Sequence, residues 1–181
     1  MRRFRTFSAF DRARPYYQRR FGRTEYLWDG YQWYHSKSGR AAPPKRNLDF
    51  CRRTIEELDE SGFCSEDTVQ AGRIAYDFVD ELPGTIDAIE TVARQMLRLE
   101  PEHPAALRVL CAALRVGDQP LRALHATAGL GRQDARLLAS RSAALFGLGR
   151  FGGARAEIEK ALALDLDPDM LSLRELIRQA A

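Results

Sequence analysis

The side chains able to do chemistry in this 181-residue chain are few and widely spaced. His35, His103 and His125 lack the H-x3-H or H-E-x-x-H spacing that brings two imidazoles to one metal ion. Cys51 and Cys64 have no CxxC partner, and Cys111 falls on an apolar stripe with Leu107, Leu110 and Leu114. The Gly-rich string G-L-G-R-F-G-G (147–153) has no strand before it and no Lys-Ser/Thr behind it. It therefore reads as a helix–helix turn and not as a phosphate loop. Glu56-Glu57 and the pair Glu157 and Glu159 suit solvated helix faces better than acid/base work. The sequence thus points to a non-enzymatic protein with no metal and no cofactor.

What the chain does offer is arginine and aromatic rings, concentrated at one end. Residues 1–46 hold 12 Lys/Arg against 3 Asp/Glu and 11 of the 17 aromatics; residues 47–181 hold 16 basic residues against 22 acidic. Arginine outnumbers lysine 25 to 3 throughout, so the choice of arginine carries no information, but its confinement does. Arg2, Arg3, Arg5, Arg19 and Arg20, interleaved with Phe4, Phe7, Phe10 and Phe21, can neutralise phosphates and stack on bases. The same mixture suits an acidic protein groove, an anionic membrane surface, or rings folded back onto the protein's own body.

Positioning elements follow from the patterning. Asp29-Gly30 between aromatic runs predicts a β-hairpin over residues 25–34 with a two-residue type I′ turn. That register sets Trp28 opposite Tyr31 and Tyr26 opposite Trp33, all four on one face that needs a cover. The cover is either the protein's own helices or a partner. Residues 35–46, with Pro43-Pro44, read as a linker closing an N-terminal arm, 1–46, ahead of a helical domain, 47–181.

In that domain Asn47 is placed to cap a helix carrying Leu48, Cys51, Ile55 and Leu58. A second helix is expected after Ser65 with Ile74, Phe78 and Leu82 inward, and a third from Thr85 with Ile86, Ile89, Ala93 and Met96. Five more follow at about 104–116, 119–129, 134–147, 151–164 and 168–180. Leu107–Ala123 and Leu138–Ala154 share one skeleton 31 to 32 residues apart: Leu, then Ala-Ala-Leu, a closing Gly, and an Ala in the next helix. The expected fold is all-α, built from antiparallel helix-hairpin repeats behind a basic aromatic arm and a short β-hairpin.

With Leu138, Ser142, Leu145, Gly149, Phe151, Ala154 and Ile158 in sequence, residues 66–181 resemble a degenerate tetratricopeptide-repeat array. Pro101 and Pro168 are two repeat lengths apart, whereas Arg141 stands where an apolar residue is the rule. The resemblance implies an α-solenoid that binds protein partners in a concave groove, with the helix carrying Leu171, Leu173, Leu176 and Ile177 as its cap. It places Arg108, Arg115 and Arg136 toward that groove, although solvated arginines on a helix face explain them as well. Members that clamp carboxylates use paired Asn and Lys, and here Asn47 is the sole asparagine.

The expected function is therefore a protein–protein interaction scaffold or adaptor in a larger assembly. The alternative is nucleic-acid or ribonucleoprotein binding by the arm. No apolar run is long enough for a membrane span. The sparse, odd cysteine set fits the cytoplasm, while an Arg-rich, acid-poor start also suits an organellar presequence.

Overall fold

The computed structural model describes residues 17–21, 23–28, 32–65, 85–130 and 134–180. Within them lie seven helices: α1 (Pro44–Glu60), α2 (Thr85–Leu99), α3 (Pro104–Val116), α4 (Pro120–Ala126), α5 (Ala135–Gly147), α6 (Phe151–Leu164) and α7 (Pro168–Ala180). Four begin with proline, whose missing N–H falls where a helix has no acceptor for it and whose fixed φ favours the first turn. The helix expected after Ser65 lies outside the described residues. The fold is predominantly helical, and each chain-adjacent pair among α2–α7 packs together, as α3 does with α5 and α1 with both α2 and α3.

The 31-residue recurrence is carried by backbone hydrogen bonds as well as by residue types. α3 and α5 are both 13 residues long and start 31 residues apart. Each is capped by a side chain that accepts from the third following N–H: His103 Nδ1 from Ala106 at 3.2 Å, and Asp134 Oδ1 from Leu137 at 2.9 Å. Their C-termini close alike. Gln119 N–H donates to Leu114 C=O at 2.8 Å, and Arg150 N–H donates to Leu145 C=O at 2.9 Å. The left-handed residue inside that closure is Asp118 (φ 55°) in one hairpin and Gly149 (φ 69°) in the other. The hairpins then diverge, because α4 stops after seven residues while α6 runs for fourteen.

The N-terminal region departs from expectation in two ways. A third strand is present, so β1 (Tyr17–Phe21), β2 (Thr24–Trp28) and β3 (Trp33–His35) form an antiparallel sheet in that order. Arg20 pairs in register with Glu25, an opposite-charge pair of the kind that favours strand association. The hairpin register also differs: Trp28 faces Trp33, and Tyr26 faces His35. The strands close at the Trp28–Trp33 pair, one step short of the expected two-residue turn, and Tyr31 lies outside the described residues. Alternation is preserved, so Tyr26, Trp28 and Trp33 still share one face.

That face is covered by α1. The two indoles sit 5.4 Å apart, Phe50 lies 4.6 Å from the Tyr26 ring and 6.2 Å from that of Trp33, and both tryptophans are fully buried. Asn47 is not an N-cap, because α1 has already begun at Pro44; its Oδ1 instead accepts from Trp33 N–H at 2.8 Å. The stretch expected as a linker is held too. Ala41 bridges Tyr34, and Ala42 N–H donates to Trp33 C=O at 2.7 Å.

Buried side chains form two clusters. One spans the sheet, α1–α4 and Leu137; the other begins at Leu138 and spans α5–α7. In α7 the inward residues are Met170, Leu173 and Ile177, whereas Leu171 and Leu176 are exposed. No helix among the described residues is long and apolar enough to cross a membrane.

Candidate functional site

Of the three arginines expected in the groove, the structure uses two as internal ties. Arg108, one turn into α3, donates from Nε and Nη2 to the two oxygens of Asp59 at 2.8 and 2.5 Å, and from Nη1 to Asp134 Oδ2 at 2.6 Å. The forked guanidinium thus joins the end of α1 to the cap of α5. The Asp59 hydrogen bonds foremost, and then the charge of Asp134, hold it above its ordinary pKa against the opposing effect of burial. Arg115 is buried, and its Nη2 donates to Ser65 C=O. Arg136, in the first turn of α5, is exposed and makes no ion pair among the described residues.

Arg108 and Arg136 do meet at one cleft of about 680 Å³. It is bounded by the start of α3, the end of the α4–α5 connection, the start of α5, and Asp165 after α6. Its apolar surface comes from Pro104, Leu107, Leu130 and Ala135. Arg108 is already neutralised by two carboxylates, so among the described residues the free charges at the lining are Glu102, Asp165 and Arg136. Arg136 also borders a neighbouring hollow of about 180 Å³ that adds Glu60, Asp167 and Asp169. Arginine in α3 and α5 suggested a basic groove; the assembled surface is acidic. Its acids come from loops and helix ends distant in sequence, which periodicity along one helix could not reveal.

Arg141, the anomalous arginine of the repeat pattern, also has a structural use. It donates to Thr127 C=O at 2.6 Å and to Glu157 Oε2 at 3.1 Å, joining the end of α4 to α5 and α6.

Among the arm residues, Arg2, Arg3 and Arg5 lie outside the described residues, and Arg19 and Arg20 are on β1 with Arg20 exposed. Tyr26, Trp28 and Trp33 belong to the first core, so stacking on a ligand would require the sheet to leave α1. The cysteines are all buried and unpaired by disulfides. Burial pushes the Cys51 thiol up to about 12 and raises those of Cys64 and Cys111, the opposite of what a nucleophile needs. No group of His, Cys, Asp and Glu able to hold a metal occurs among the described residues.

Comparison with protein-family models, curated proteins and solved structures finds no match to this chain.

Proposed function

With no relative to lend an activity, the helical architecture itself is the premise, and we infer that the protein is a non-enzymatic scaffold whose tetratricopeptide-like helix pairs hold a protein partner. The observation that carries this reading is the recurrence, at one 31-residue interval, of both the side-chain cap and the left-handed closure of α3 and α5. Units that repeat their punctuation in this way stack, and the stack presents clefts between units as binding surfaces. The cleft beside α3 and α5 is such a surface.

A second reading, nucleic-acid binding through residues 1–46, rests on their excess of nine positive charges. The burial of Tyr26, Trp28 and Trp33 reduces its supply of stacking rings.

The two are separated by affinity capture with the full chain, with and without nuclease. Substitution is preferable to truncation, because the sheet and α1 share a core. Proteins retained despite nuclease, with recovery altered by substitutions in the cleft beside α3 and α5, support the scaffold. Recovery abolished by nuclease, and by Arg2→Glu, Arg3→Glu and Arg5→Glu together, supports the nucleic-acid reading.

A further inference from the structure

The cleft between α3 and α5 has a chemical character that limits its occupant. Its volume, about 680 Å³, lies in the range of ligand-binding clefts, and its wall is apolar where Pro104, Leu130 and Ala135 come together. Glu102 and Asp165 reach it from two different connections, α2–α3 and α6–α7, and neither makes an ion pair among the described residues. Beyond Arg136 the acidic field continues through Glu60, Asp167 and Asp169. Among the described residues, five carboxylates thus line the two hollows against a single unpaired guanidinium, while Arg108 is consumed by Asp59 and Asp134. A negatively charged ligand meets like charge there, and a purely apolar one leaves the rim uncompensated.

We propose that this cleft docks an extended segment of a partner protein in which arginine or lysine alternates with apolar residues. The apolar side chains and aliphatic stems lie along Pro104, Leu130 and Ala135, and the cationic heads meet Glu102 and Asp165. Arg136 opposes such a ligand and sets its register by excluding a cation from its own position. The proposal rests on the scaffold reading and names the chemistry of the partner that reading leaves open.

The test uses the full chain and a fluorescein-labelled dodecapeptide alternating arginine with leucine, beside a counterpart with glutamate for arginine. Fluorescence anisotropy at low salt is expected to show binding of the first and none of the second. Combining Glu102→Gln with Asp165→Asn weakens binding roughly fivefold, and Arg136→Gln strengthens it about twofold, as expected for partly exposed ion pairs. All three positions are exposed charges without an ion pair among the described residues, so circular dichroism should be unchanged. Equal binding of both peptides, or indifference to these substitutions, overturns the proposal. Self-association that needs Glu102 and Asp165, without peptide binding, assigns the cleft to a second copy instead. Binding seen only after Arg2→Glu, Arg3→Glu and Arg5→Glu assigns it to the chain's own opening segment. Each of these failures leaves the nuclease-resistant capture of proteins, and with it the scaffold reading, to be judged separately.

Discussion

The hairpins α3–α4 and α5–α6 share a backbone plan and differ in what surrounds it. α3 packs against α1, α2, α4 and α5, and every residue from Val109 to Arg115 is buried. α5 keeps the same length and caps but buries a narrower set, with Leu145 and Phe146 only partly covered. The equivalent inner position holds Cys111 in one and Ser142 in the other. Ser142 can be polar because its hydroxyl donates to Ala154 C=O at 2.7 Å. Turn geometry is therefore set locally, whereas apolar content follows how much of the helix surface is covered. A helix covered all round becomes apolar all round, and one left partly open keeps a stripe.

The largest expected asymmetry is at the last leucine of each helix. Leu114→Ala should cost about 3 kcal/mol and Leu145→Ala about half that, because the second side chain is already partly solvated. Urea unfolding of both variants checks this, and equal losses would mean that the two hairpins are equally enclosed. Next come the caps. His103→Ala removes one acceptor and should cost about 1 kcal/mol. Asp134→Ala should cost about 2 kcal/mol, since it also takes one of the two carboxylates from the partly buried Arg108. Thermal melts of the two variants read the difference.

The helices were legible in the sequence because proline, glycine and capping residues act within a few positions of themselves. Six of the seven begin within one residue of expectation; α1 starts four residues earlier because Pro44 opens it, which leaves Asn47 free to bind the sheet. The fate of the arginines was not legible. Asp59 reaches Arg108 from 49 positions away and Ser65 reaches Arg115 from 50, so nothing near either arginine announces its partner. β1 was hidden because Tyr17-Gln18-Arg19-Arg20-Phe21, three polar residues between two rings, lacks the apolar alternation of a strand and suits a solvated arm. The acidic cleft went unseen for the same reason as the arginine ties: it is assembled from connections.

A smaller contrast is in alkali. All three cysteines belong to the first core and none to the second. A thiol held protonated to about 12 in the fold, but ionising near 9 when unfolded, stabilises the protein fully below pH 9 and loses that contribution as pH rises toward 12. From pH 8 to pH 10, Cys51 alone should lower stability by roughly 1 kcal/mol, and Cys51→Ala should flatten the profile by that amount. The last contrast, one of sign, is at the turns. Gly149→Ala forces a side chain into φ 69° and should cost about 1 kcal/mol, while Asp118→Gly should gain a few tenths. Opposite signs in the two melts would show that the closures are equivalent in geometry and unequal in strain.

One consequence of the boundary between Leu137 and Leu138 concerns how the molecule comes apart. Adjacent residues of α5 point into different clusters, so that helix is structural material for both halves. When α6 and α7 detach, α5 loses half of its support but keeps its cap through Arg108. When the first cluster opens, α5 loses Leu137's packing and the Arg108 contact that anchors its capping Asp134. Opening is thus expected to be directional: amides of α6 and α7 should exchange while the first cluster stays closed, whereas opening of the first cluster also loosens the start of α5.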